Sequence, residues 1–138
     1  MTELFHRMSR LYCFYRACIE KGENAEVYRA LADGAHAQMM NVYQYLHEND
    51  SVDSILNEIK IDIEVFLFTA EIEAKKMGRE AEKLASRTRD AAKMAYMIME
   101  QDHAKKTPVR NAYACDVCGW TGIDIIPEKC PLCGKKLL

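Results

Sequence analysis

Read for its alternation of apolar and polar positions, the stretch from Met1 to Lys106 carries helical periodicity almost without a break. It holds no proline, and its only glycines are Gly22, Gly34 and Gly78. Gly22 follows "IEK" and Gly78 follows "AKKM", where a residue free to leave the helix comes just after lysines that favour the negative end of its dipole. A third break, "HENDSVDS" at 47–54, offers Asp50, Ser51 or Asp53 as an N-cap. Three breaks predict four helices, over about 2–21, 24–47, 53–77 and 79–106. Short connections force neighbours to run antiparallel, so the predicted fold is all-α, an up-down-up-down four-helix bundle.

At ~100° per residue the same pattern assigns faces. The first helix gathers Leu4, Met8, Leu11, Tyr15 and Cys18, and the second Val27, Leu31, Ala35, Met39, Val42 and Leu46. The fourth gathers Leu84, Thr88, Ala91, Ala95, Ile98 and Met99. The third is different: beside the stripe Ile55, Ile59, Ile63, Phe66 and Ala70 it carries a second, Ile61, Val65, Phe68 and Ile72, on the opposite side. A helix in a monomeric bundle needs one apolar face, so the spare stripe predicts a partner helix, most simply in a homodimer. The alternative is a central helix covered by the tail. Methionines 39, 40, 94, 97 and 99 read as adaptable core packing. Cys13 and Cys18, five apart on one helix, read as small buried residues.

Composition changes the picture mainly at the C-terminus. A chain of 138 residues can bury one good core plus a satellite too small to bury its own, which divides it into a bundle at 1–106 and a module at 107–138. The formal charge of −2 and the absence of a basic block point away from nucleic acid and membrane surfaces. Within the tail, Arg110, Lys129, Lys135 and Lys136 are nearly offset by Asp116, Asp124 and Glu128. The start, "MTELFHRMSR", does not read as a signal peptide, and no apolar run is long enough to span a bilayer, so a cytoplasmic protein is expected. In that reducing setting six cysteines point to metal rather than disulfides.

The tail reads "ACDVCGWTGIDIIPEKCPLCGKK" at 114–136. Cys115-x-x-Cys118-Gly119 and Cys130-x-x-Cys133-Gly134 are two copies of one device. Cysteines three apart can turn both sulfurs to one tetrahedral ion, and the glycine lets backbone N–H groups point back at the thiolates. The intervening residues predict a small hairpin through Thr121-Gly122, with Trp120, Ile125 and Ile126 burying the metal. Cys115, Cys118, Cys130 and Cys133 are therefore the expected ligands. Tetrahedral sulfur suits iron and zinc alike.

The order "CDVCGW…PEKCPLCGKK" resembles the C-terminal rubredoxin-like domain of rubrerythrins, and a helical bundle before it matches that family's domain order. The resemblance implies a ferritin-like bundle and an Fe(Cys)₄ centre that passes single electrons. Rubrerythrins also reduce peroxide at a di-iron centre built from Glu and Glu-x-x-His in the bundle. Candidates here are Asp33 with His36 and Glu100 with His103. Asp33 projects ~180° from the apolar face of its helix, and the two motifs differ in height by ~16 Å, whereas bridged metals sit ~3.5–4 Å apart. A family-like count from each glycine lands on Ala37 with Met40 and on Lys93 with Tyr96. Glu3, Glu64 and Glu71 read as solvated, and the bundle di-iron site as absent or degenerate. The expectation is an electron-carrying protein with an iron centre, a redox partner protein and a role in oxidative-stress defence. One alternative is a non-enzymatic scaffold or protein-binding subunit with structural zinc, the other a di-iron peroxidase using Glu100 and His103.

Overall fold

A computed structural model describes residues 1–104 and 111–138. Its elements in chain order are α1 (Thr2–Glu20), α2 (Ala25–His47), α3 (Val52–Ile61), a π-helical turn (Asp62–Phe66), α4 (Leu67–Met77), α5 (Arg79–Ala104), β1 (Ala112–Ala114) and β2 (Thr121–Ile123). The chain is mostly helical and ends in a small four-cysteine ribbon. Its residues fall into two compact units, Met1–Asp50 and Ser51–Leu138. The expected junction between 106 and 107, and Arg110, lie outside the described residues. Among the described residues no helix is long and apolar enough to cross a membrane.

The first unit is the α1–α2 hairpin. Its turn is a glycine cap: Gly22 sits at φ 76°, and Glu23 N–H reaches back to the Cys18 carbonyl at 3.2 Å, satisfying a helix-end acceptor. The buried residues are Cys18, Ala32, Ala35 and Val42; small side chains at the contact let the two backbones approach closely. Aromatic pairs extend the packing, Tyr15 with Tyr28 at 6.3 Å and Phe5 with Tyr43 at 6.5 Å between ring centroids. Cys18 is buried as expected, but Cys13 is exposed. Leu4, Leu11, Val27 and Leu31 of the expected core stripes are 42–48% exposed.

The second unit starts at Ser51, whose hydroxyl caps α3 by accepting from Ser54 N–H at 3.1 Å. The predicted third helix exists over its full length, but the π-helical turn interrupts it. An extra residue in one turn advances every later side chain by about one position. The half-buried and buried row therefore runs Ile55, Ile59, Ile63 and then Leu67, Glu71 and Ala74. Phe66 and Ala70, expected on the core face, are exposed instead. Glu71, expected to be solvated, meets Arg89 of α5 at 3.2 Å, and the Arg89 guanidinium lies 4.7 Å from the centre of the Phe68 ring. Gly78, at φ 119°, turns α4 into α5, and the ribbon's β2 packs on α5.

Candidate metal centre

The ribbon begins with an antiparallel pairing of β1 and β2, Ala112 opposite Ile123, Tyr113 opposite Gly122 and Ala114 opposite Thr121. Thr121-Gly122 is thus a strand and not the expected turn. The hairpin closes one step earlier, through the first cysteine pair, where Cys115 N–H donates to the Trp120 carbonyl at 2.8 Å and Gly119 N–H to the Cys115 carbonyl at 2.9 Å. Gly122 suits the strand for a steric reason: a Cβ there would collide with the Tyr113 ring and with Trp120. After β2 the chain bends at Asp124, which adopts φ 70°, a left-handed conformation that Asp tolerates better than most residues.

The second cysteine pair repeats the first. Cys130 N–H donates to the Lys135 carbonyl at 2.7 Å and Gly134 N–H to the Cys130 carbonyl at 2.9 Å. Gly119 and Gly134 take nearly the same left-handed conformation, φ 77° and 79°, which an L side chain would strain. Facing each other, the two loops bring all four sulfurs within 4.8 Å of one another. Cys115 Sγ is 3.6 Å from Cys133 Sγ, and Cys118 Sγ is 3.6 Å from Cys130 Sγ. Four ligands at about 2.3 Å around a tetrahedral ion would sit at nearly this separation, so the donor set fits a single thiolate-bound metal ion. Cys115 and Cys130 are buried, and Cys118 and Cys133 are half-buried, forming the outward edge of the cage.

Backbone dipoles prepare this cage for negative charge. The N–H groups of Cys118 and Val117 draw the Cys115 thiol down to about 6. Burial opposes ionisation of Cys130, yet the N–H groups of Cys133 and Leu132 outweigh it and lower that pKa too. Cys118 moves the other way, pushed up to about 12 by burial. Ionising some thiols and not others is the response of crowded sulfurs to mutual repulsion; a cation at their centre is what lets all four give up protons.

One contact absent from the sequence reading spans the two loops: Lys135 Nζ donates to Asp116 Oδ1. The repeat could have suggested it, since Asp116 follows the first cysteine of one pair and Lys135 follows the glycine of the other. Ile125 and Ile126, expected to shield the metal, are 82% and 43% exposed. Trp120 is half-buried against Tyr113, ring centroids 5.7 Å apart.

The other candidates are placed within their own units as follows. Among the described residues, the four cysteines are the one group of three or more Cys, His, Asp or Glu side chains close enough to share an ion. Asp33 and His36 are exposed on α2 of the first unit, where His36 lies 6.0 Å from the Tyr12 ring. Glu100 and His103 are exposed on α5, and His103 Nε2 is 3.0 Å from Asp53 Oδ1. Lys93 and Tyr96 line a cavity of about 220 Å³ with Lys60, Ile63, Glu64 and Met97. Burial and the Glu100 carboxylate raise the Tyr96 pKa. Glu3 pairs with Arg7 at 2.8 Å, and His47 with Asp50 at 2.8 Å.

No family model matches the chain. Among curated proteins, Rubrerythrin-2 of Clostridium acetobutylicum is 34% identical over 91 residues, 62% of this chain and 48% of that protein. Over those residues the chain is similar to a rubrerythrin, and it carries a four-cysteine ribbon after its helices. It spans about half the length of the curated relative it matches.

Proposed function

We propose that this protein is a rubrerythrin-type redox protein, a ferritin-like four-helix bundle over 1–106 followed by a rubredoxin-like module over 107–138 that holds one iron through Cys115, Cys118, Cys130 and Cys133. The observation that carries this reading is the convergence of those four sulfurs within 4.8 Å from two loops of the same backbone design. Iron bound by four thiolates supplies one-electron chemistry whose potential depends on charge, hydrogen bonding and exposure. The chain contributes each of those. N–H groups of Val117, Cys118, Leu132 and Cys133 face the sulfurs of Cys115 and Cys130 and stabilise their negative charge. Burial of Cys115 and Cys130 keeps water from one side, while the half-buried Cys118 and Cys133 leave an edge that a redox partner protein can approach. Lys135, held by Asp116, adds a positive charge beside Cys115 and Cys133.

The electrons are proposed to serve oxidative-stress defence by way of a partner, the bundle lacking a working di-iron centre. Within the second unit, His103 is engaged with Asp53. Metal analysis with optical absorption of protein purified anaerobically without added metal tests both parts. The expected result is one iron per chain and a red colour that bleaches on reduction. Colourless protein with one zinc per chain would instead support a structural ribbon on a scaffold, and three irons per chain would overturn the account of the bundle.

A further inference from the structure

The cavity of about 220 Å³ in the second unit is walled by Lys60 of α3, Ile63 and Glu64 of the π-helical turn, and Lys93, Tyr96 and Met97 of α5. The turn shapes one wall. Leu67 N–H reaches the Asp62 carbonyl five residues back, which widens the helix there, and such turns inside α-helices collect at functional sites. Ile63 is buried and Tyr96 half-buried, while both lysines and Glu64 are exposed. The cavity is therefore apolar at its base and charged at its rim.

The rim charges do not cancel. Among the described residues neither Lys60, Lys93 nor Glu64 is engaged in an ion pair. Two ammonium groups against one carboxylate leave the lining net positive, which repels a metal ion and attracts an anion. One negative charge on a ligand brings the whole to neutrality. Burial, then the Glu100 and Glu64 carboxylates, raise the Tyr96 pKa, so the phenol stays protonated and its ring serves as a wall; Glu100 does not itself line the cavity. Size narrows the choice further. A cavity of about 150 Å³ takes up benzene, so this one holds a single ring with a small substituent. A flat ring also suits the lining, because the Met97 thioether and the Tyr96 ring pack on aromatic rings and lysine ammonium groups are drawn to their faces.

We propose that this cavity binds a small aromatic monocarboxylate, with its ring on Ile63, Tyr96 and Met97 and its carboxylate between Lys60 and Lys93. The bound molecule joins α3 and the π-helical turn to α5, and so stabilises the helices of the second unit by mass action. The proposal is independent of which metal the ribbon holds.

Benzoate titrated into the full, metal-loaded chain tests it, with the Met97 methyl signal, assigned through Met97→Leu, followed by NMR. The expected result is saturable binding with a dissociation constant of about 1 mM or below and a ring-current shift of that methyl. Benzamide has the shape without the charge, and hexanoate the charge without the ring. Each should bind about tenfold more weakly than benzoate. Lys60, Lys93 and Glu64 are exposed, so replacing them leaves the packing and the helical circular dichroism unchanged. Lys60→Gln or Lys93→Gln should weaken benzoate binding about three- to tenfold, Lys93→Arg should retain it, and Glu64→Gln should tighten it. A Met97 methyl that stays unmoved at about 10 mM benzoate overturns the proposal. So does a chain that binds benzamide or hexanoate as tightly as benzoate, or one whose affinity for benzoate ignores the Lys60, Lys93 and Glu64 substitutions.

Discussion

The first hairpin and the terminal ribbon both bury small side chains, but at different kinds of contact. In Met1–Asp50 the buried residues are Cys18, Ala32, Ala35 and Val42, small apolar groups at a helix contact. In the ribbon they are Cys115, Cys130 and Gly122, while Val117, Ile125 and Leu138 are 63%, 82% and 69% exposed. Both units expose aliphatic side chains, but the ribbon buries only two cysteines and a glycine, and those cysteines face two more sulfurs. A segment that short has no apolar core to hold it, so bonds between the sulfurs and a metal would have to supply its stability. The first hairpin rests on ordinary side-chain packing.

The largest effect that could break this contrast is removal of the metal. Structural thiolate sites contribute on the order of 10 kcal/mol to folding, more than a small ribbon can lose and stay ordered. A strong chelator, or Cys130→Ser, should unfold the ribbon and leave nearly all helical circular dichroism in place. The chain has one tryptophan, Trp120, and it lies in the ribbon, so its fluorescence reports the ribbon separately from the helices. If ellipticity and fluorescence fall together, the helices depend on the ribbon and the contrast fails.

A smaller effect separates what could be read from the sequence from what could not. Helix ends were legible, because Gly22, Gly78 and Ser51 each act through local chemistry that needs no partner: two left-handed glycines and a hydroxyl cap. The cysteine cage was legible for the same reason, since spacing and a following glycine largely fix each loop. The phase of the long third helix past Ile63 was not. Nothing in "DIEVF" marks a π turn, and a constant ~100° step carries straight through it. The shift shows only once α5 is in place, where Arg89 takes Glu71 as its partner and stacks on Phe68. Likewise Thr121-Gly122 looks like a turn until Tyr113 lies across it. Ile63 is 6% exposed, and Ile63→Ala should cost about 2–5 kcal/mol. Phe66, 62% exposed, should tolerate Ala within about 0.5 kcal/mol. Denaturant unfolding of the two variants decides between them, and equal losses would restore the uninterrupted helix.

The smallest effect concerns the one ion pair that joins the two cysteine loops. Lys135 depresses the Asp116 pKa through its hydrogen bond and its charge, and Asp116 raises that of Lys135 in return. A depressed carboxylate stabilises the fold above the ordinary carboxylate range and loses that contribution as pH falls through its folded value. A raised ammonium stabilises it below the ordinary lysine range and loses that contribution as pH rises through its folded value. The pair is therefore fully formed at neutral pH. On the acid side, protons also compete with the metal for the thiolates, so the informative limb is alkaline. Asp116→Asn should lower the midpoint of thermal metal loss by at most a few degrees at neutral pH. The gap from the native chain should close as pH rises past the ordinary lysine value of about 10.4, and also as salt screens the exposed pair. A gap that persists through both changes would mean that Asp116 orders its loop through its backbone neighbours, and that the two loops are held together by the metal alone.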